Sequence, residues 1–160
     1  MYSHDGIRDS LTQLAAPTLL YEELRRELAR AKRQGQPISM IRFLLVPDAL
    51  DPHDDESITY FECEEEVIDF AQTLTDLSRG EDLCARMGEL EFVCVLHGLE
   101  EASKSFVSRI SLRWHEAKVA HTASQVRNDL SLLVASLVSK PNESALEFLS
   151  RLDLEPTTAQ

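Results

Sequence analysis

The chain has 160 residues, a formal net charge of −12 and a hydrophobic fraction of 43%. This length suits one domain with a buried core, so we expect a single domain over residues 1–160, its core at about 18–153 and flexible ends at 1–8 and 154–160. The acidic surplus has the same sign as nucleic acid and anionic membranes, so we expect neither as a partner. No apolar run approaches the roughly 20 residues of a membrane span, and no signal-peptide pattern opens the sequence, which predicts a cytoplasmic protein.

Neither the cysteines nor the five histidines have the spacing of a metal site. Cys84 and Cys94 lie within apolar, strand-like runs, where a small buried thiol is common. The sequence therefore predicts no metal site and no cofactor.

The first half of the chain alternates helical and strand-like hydrophobic patterns. A helix is predicted at about Thr18–Arg33 and ended by Gly35, and a buried strand follows at Ile38–Val46. After an acidic loop, helical spacing returns from about Ile58 to Ser78, and we expect Gly80 to end that helix.

Two short strands come next, at Leu83–Met87 and Glu91–His97. The three residues Gly88-Glu89-Leu90 between them suit a hairpin turn. Apolar residues at helical spacing from Ala102 to Trp114 then predict another helix.

The last elements are a strand at Leu130–Val138 and a short helix that we expect Asn142 to cap. From the first strand onward the predicted order is β-α-β-β-α-β. This order predicts an α+β fold with a ferredoxin-like antiparallel sheet and its helices on one face, plus an extra N-terminal helix and a short C-terminal helix.

Three stretches, in this order, resemble the GGDEF family of diguanylate cyclases. Asp9–Leu14 (DSLTQL) resembles the family's opening motif D-x-L-T-G-L, with Gln13 where glycine is usual, and Glu27–Ser39 is similar to its first helix and the run into its first strand. Arg79–Leu96 resembles R-x-x-D-x-x-x-R-x-G-G-D-E-F and the apolar strand that follows. The signature positions are occupied by Gly88, Glu89, Leu90, Glu91 and Phe92. The resemblance covers nearly the whole chain and implies a nucleotide cyclase-like fold.

Active members of the family condense two GTP molecules into cyclic di-GMP across a dimer, using two metal ions held by carboxylates. The register of the first strand puts Leu44 and Val46 where the family carries its aspartates, and Leu90 stands at the metal-binding acid of the signature. Apolar side chains cannot ligate magnesium. Glu89 replaces the second signature glycine and adds bulk and negative charge where a phosphate would lie. The resemblance thus implies a degenerate domain with no catalytic residues, which is not an enzyme.

The family also has an inhibitory site that binds cyclic di-GMP through an R-x-x-D motif ending five residues before the signature. Arg79 and Asp82 match it, and Arg109 matches an arginine of the helix after the hairpin. Arg30 matches a further arginine that a neighbouring protomer or domain supplies in many members. An arginine fork pairs with a phosphate or with guanine O6 and N7, and an aspartate accepts from the guanine edge. The resemblance therefore implies a cyclic di-GMP receptor that signals to a protein partner.

Other interpretations remain open. R-x-x-D is a short pattern, and Arg79 with Asp82 would also suit a surface ion pair of little energetic value. The alternative function is a ligand-independent interaction or dimerisation domain in a bacterial signalling complex, indicated by the acidic stretch Asp51–Glu66 and by the apolar replacements at the catalytic positions. Residual GTP binding is a third hypothesis, because Asp55 and Glu64 lie where the family reads guanine.

Overall fold

A five-stranded antiparallel sheet forms the centre of the fold in the computed structural model, which describes residues 2–47, 63–122 and 130–160. The strands are β1 (Ile38–Pro47), β2 (Leu83–Arg86), β3 (Glu91–His97), β4 (Leu130–Val138) and β5 (Thr158–Ala159). They lie in the order β2-β3-β1-β4-β5, and every neighbouring pair is antiparallel. The predicted ferredoxin-like order is confirmed. The structure adds β5, whose two residues are too few to produce a recognisable alternation.

Helices cover both faces of this sheet. They are α1 (Pro17–Gln34), α2 (Glu64–Leu77), α3 (Glu100–Thr122) and α4 (Ala145–Leu154). The two core helices, α2 and α3, pack on one face around Phe43, Phe70 and Trp114, whereas α1 and α4 pack on the other face around Met40 and Phe148. Alternate residues of β1 supply both clusters because successive strand side chains point to opposite faces. In the described part of the chain, no helix is long and apolar enough to cross a membrane.

Two helix ends differ from the predictions, while a third agrees. Gly35 ends α1 in the left-handed conformation, with φ +64°, as expected. The prediction that Gly80 ends α2 is wrong: the helix ends at Leu77, where the extended Ser78 donates from its backbone N–H and its hydroxyl to the Leu74 carbonyl. The predicted beginning of this helix lies outside the described residues.

The cap of α4 is Ser144, so the prediction of Asn142 as cap is also wrong. Ser144 Oγ accepts from the Glu147 N–H at 3.2 Å, and Glu147 Oε2 accepts from the Ser144 N–H at 2.8 Å. This reciprocal pair satisfies two helix-terminal donors at once, which a single asparagine two residues earlier does not do. Asn142 instead takes a left-handed turn conformation with φ 61°.

Both ends of the chain, predicted to be flexible, make defined contacts. The Gln160 N–H donates to the Leu132 carbonyl at 3.0 Å, beyond the pairing of β5 with β4. At the other end the Tyr2 N–H donates to Glu89 Oε1 at 2.6 Å, and the Tyr2 hydroxyl donates to the Arg86 carbonyl at 2.8 Å. Residues 2–16, here called the N-terminal segment, are thus attached to the hairpin of β2 and β3.

A buried ion pair holds the N-terminal segment in place. Arg86 Nη1 lies 3.1 and 3.2 Å from the two carboxylate oxygens of Asp9, and both side chains are almost fully buried. Asp9 Oδ2 also accepts from the N–H and the hydroxyl of Thr12, at 2.7 and 2.6 Å. The turn closes through Gln13 with φ 61°, a left-handed conformation that glycine adopts more readily. This explains why glycine is usual at that place in the motif that Asp9–Leu14 resembles.

Replacing Asp9 by alanine should lower the free energy of unfolding by about 3–5 kcal/mol, because the Arg86 guanidinium would stay buried without its partner. Urea denaturation measures this change. The control is Asp76→Ala, at an exposed carboxylate whose one hydrogen-bond partner among the described residues is Gln72, where a change within about 0.5 kcal/mol is expected. The double variant Asp9→Leu/Arg86→Met should recover much of the loss. A loss for Asp9→Ala no larger than that of the control would contradict the role of the pair.

Candidate functional site

The turn between β2 and β3 brings the signature residues against the end of β1. Leu44 is directly opposite Glu91 in the β1–β3 ladder, and the Leu45 N–H donates to the Leu90 carbonyl at 2.9 Å. Val46 follows two residues later and is 38% exposed. The structure therefore brings together the positions at which the resemblance places the family's catalytic acids. We call the group of Leu44, Val46, Leu90 and Glu91 the signature corner.

The side chains of the signature corner do not suit a pair of magnesium ions. Magnesium is held by oxygen ligands, whereas the corner offers a single carboxylate, that of Glu91. Burial raises the pKa of Glu91, an effect that Arg42 opposes and Asp153 reinforces. Leu90 packs against the apolar cluster under α2 and α3. Among the described residues, no group of three or more His, Cys, Asp or Glu side chains is placed to hold a metal ion.

Glu89 has a structural role that the sequence did not reveal. Its carboxylate accepts the Tyr2 N–H and lies 3.7 Å from Arg86 Nη2, which also donates to the Glu89 carbonyl at 2.8 Å. The Arg86 guanidinium lies 5.2 Å from the centre of the Tyr2 ring. Burial, followed by the charge of Asp9, raises the pKa of Tyr2 to about 12, so its hydroxyl remains a donor at neutral pH. The signature turn is therefore covered by the N-terminal segment.

The R-x-x-D residues form a tight turn between α2 and β2. The Arg79 N–H donates to Asp82 Oδ2 at 2.8 Å, and the Asp82 N–H donates to the Arg79 carbonyl at 3.1 Å. Asp82 is half-buried and fixes the turn, whereas Arg79 is exposed. Within the described residues, the Arg79 guanidinium has no hydrogen bond or salt bridge. We call Arg79–Asp82 the RxxD turn.

Arg109 reaches the same end of α2 from the neighbouring helix α3. Its Nη1 lies 3.5 Å from the carbonyl of Leu77, two residues before Arg79, and its guanidinium is 5.6 Å from the centre of the Phe106 ring. The structure thus brings Arg109 to the beginning of the RxxD turn.

Arg30 lies elsewhere, on α1 and on the other face of the sheet, 3.9 Å from Glu27. No contact joins it to Arg79, Asp82 or Arg109 of the same chain, so its assignment to the site stays a prediction. Of the two residues at the guanine-reading positions, Glu64 is exposed in the first turn of α2, and Asp55 lies outside the described residues.

Comparisons with known proteins show similarity in structure only. No family model matches the chain, and no curated protein matches it. The GGDEF domain of DgcB from Caulobacter crescentus, solved in complex with c-di-GMP, is 19% identical, with a TM-score of 0.70 over 96% of this chain and 86% of that chain. The GGDEF domain of FimX from Pseudomonas aeruginosa is 14% identical, with a TM-score of 0.62 over 91% of this chain and 88% of that chain.

The diguanylate cyclase SiaD from Pseudomonas aeruginosa, solved with its activator SiaC, is 20% identical, with a TM-score of 0.69 over 91% of this chain. The match covers 55% of the SiaD chain, so the present chain spans about half of its length. At such identities the likeness concerns the fold. The chain has the α+β fold of solved GGDEF domains.

Proposed function

We propose that the chain is a catalytically inactive GGDEF-like domain that binds cyclic di-GMP at Arg79, Asp82 and Arg109 and signals to a protein partner. The observation that carries this proposal is the position of Arg109 Nη1, 3.5 Å from the Leu77 carbonyl. Arg109, from within α3, thus lies close to the turn that follows α2 and carries the exposed Arg79.

The Arg79 guanidinium has no partner among the described residues, which favours ligand binding over a purely structural role. Several other arginines of the chain are engaged: Arg25, Arg26 and Arg30 with glutamates one turn earlier on α1, and Arg42, Arg86 and Arg151 with acids elsewhere. Among the described residues Arg79 has no such partner for an incoming phosphate to displace. Because charge-assisted hydrogen bonds to phosphate are the strong ones, this arginine, with Arg109 near the same turn, suits a ligand with two phosphate groups.

The chemistry of cyclic di-GMP matches the turn. The ligand has two phosphates and two guanines, which two guanidinium forks and one carboxylate can recognise together. One oxygen of Asp82 already accepts from the Arg79 backbone, which orients the other oxygen as an acceptor for a guanine N–H. The complex of DgcB's GGDEF domain with c-di-GMP supports this ligand class, and the complex of SiaD with SiaC supports a protein partner.

The proposal of inactivity rests on the signature corner. Leu44 and Leu90 cannot hold a metal, and the remaining acid, Glu91, has its pKa raised by burial. The Glu89 carboxylate would oppose a triphosphate by charge, and the N-terminal segment attached to it adds bulk at the same turn.

The alternative is a ligand-independent interaction or dimerisation domain. The observation that favours it is the exposure of Val46 beside the apolar Leu44, where the resemblance would place carboxylates. A partner that stays bound without nucleotide, and equally to the Arg79→Ala variant, would support this alternative.

Isothermal titration with cyclic di-GMP should show saturable binding to the wild-type chain. Arg79→Ala and Arg109→Ala should each weaken it by roughly 10- to 100-fold, about 1.4–2.8 kcal/mol, because each removes charge-assisted hydrogen bonds. The matched control is Arg33→Ala, an exposed arginine on α1 with no partner among the described residues, which should bind as the wild type does. Absence of both heat and thermal stabilisation up to about 100 μM ligand would refute the receptor proposal.

Incubation of the chain with GTP and magnesium should yield neither cyclic di-GMP nor its linear intermediate, since the signature corner lacks the oxygen ligands for the metals. Liquid chromatography with mass spectrometry detects either product. An active diguanylate cyclase in the same buffer is the positive control. Product formation that disappears in the Glu91→Gln variant would show that the corner is catalytic and the proposal of inactivity wrong.

A further inference from the structure

A groove of about 840 Å³ lies between α1 and the connection from β4 to α4. Its wall on α1 extends from Tyr21 to Lys32, which at 1.5 Å per residue is roughly 16 Å, or three helical turns. Leu28 and Leu99 are among its apolar lining residues, and Leu99 is 55% exposed. We call this cavity the α1/α4 groove. It lies on the face of the sheet opposite to α2 and α3, and none of the RxxD turn lines it.

The rims of the α1/α4 groove are basic, although the whole chain has a net charge of −12. Arg25 and Lys32 project from α1, and Lys140 lies on the opposite rim. Neither lysine ammonium forms a hydrogen bond or a salt bridge with the described residues. Arg25 has only an exposed contact of 3.5 Å with Glu22, the kind of ion pair that contributes little.

Glu143, the one acidic side chain that lines the groove among the described residues, does not cancel this charge. Arg151 donates to its two carboxylate oxygens, from Nε at 2.7 Å and from Nη2 at 2.9 Å. Burial alone would raise the pKa of Glu143, but the hydrogen bonds from Arg151 and from the Lys140 N–H lower it overall. Glu143 therefore stays ionised and is neutralised by Arg151, which leaves the two lysines, without a side-chain partner among the described residues, to set the local potential.

We propose that the α1/α4 groove is the docking site for a short amphipathic helix of a partner protein, with large apolar side chains on one face and carboxylates along its edges. A groove three helical turns long with an apolar lining accepts apolar side chains at positions i, i+3 or i+4, and i+7 of a bound helix. The cations on its two rims would pair with carboxylates along the edges of that helix and so fix its position along the groove. The overall negative charge opposes this partner only weakly at contact, because salt screens charges beyond about 8 Å. A bilayer suits the site less well, since a flat surface does not reach the lining of a concave groove.

This inference goes beyond the proposed function, because the groove shares no residue with the RxxD turn and its occupant needs no nucleotide. A library of displayed random peptides of about 12 residues, roughly three helical turns, is selected on the whole chain without nucleotide. Enriched peptides should be acidic, with apolar residues at helical spacing. In fluorescence anisotropy, Lys32→Glu/Lys140→Glu should weaken their binding at least about tenfold.

The matched control is Arg33→Glu/Arg113→Glu, which changes the net charge equally at exposed residues outside the groove that have no partner in the described part of the chain. It should bind the peptides like the wild type, as should Arg79→Ala, which separates this result from any failure of the receptor proposal. Leu99→Ser should weaken binding with little effect on folding, because the side chain is already exposed.

Four outcomes would overturn the proposal. No peptide is enriched; the enriched peptides have no acidic bias; the groove variant and the control variant lose peptide affinity equally; or neither variant changes peptide affinity. Two further measurements test other occupants. Sedimentation velocity that shows self-association abolished by Lys32→Glu/Lys140→Glu would assign the groove to a second copy of the chain. Binding to phosphatidylserine vesicles abolished by the same variant would assign it to a lipid surface.

Discussion

The buried pair of Asp9 and Arg86 is the interaction on which the signature turn depends. Arg86 is the last residue of β2, yet its guanidinium reaches the carboxylate of the N-terminal segment and the Glu89 carbonyl of the turn at the same time. A charge with so little access to water is tolerated only when its partners are fixed. The turn, β2 and residues 2–16 are therefore held together by one buried charge and its partners.

The elements with long, regular hydrophobic patterns could be predicted from the sequence, and the features set by local hydrogen bonding could not. β1, β3 and β4 lie within one residue of their predicted bounds because apolar runs flanked by turn residues leave few alternatives. The end of α2 and the cap of α4 were misassigned because glycine and asparagine are only favoured residues, whereas Ser78 and Ser144 make the bonds. The hydrogen bonds that Tyr2 and Gln160 make are tertiary contacts, which no local sequence pattern contains.

The candidate site, like the fold, could be predicted from the sequence only in part. Resemblance to a family motif predicts Arg79, Asp82 and Arg109 as a ligand site, because the motif preserves spacing along the chain. In the structure Arg79 and Asp82 form one turn, and Arg109 contacts the end of α2 just before it. For Glu89, the same resemblance indicates only that it replaces the second glycine of the signature. Its bond to Tyr2 joins residues 87 positions apart, and the basic rims of the α1/α4 groove come from two elements more than 100 residues apart. Such pairings become visible only in three dimensions.

The shortness of β2 has a thermodynamic consequence. Four residues span about 13 Å, with the RxxD turn before them and the Arg86–Glu89 turn after them. Because all four residues of β2 pair with β3, a displacement of the RxxD turn by the proposed ligand would be passed directly to the N-terminal segment at the other end of the strand. If binding of the proposed ligand favours one position of β2, the ligand strengthens the contact between Tyr2 and Glu89 by some factor. By linkage, breaking that contact then weakens the affinity for the ligand by the same factor.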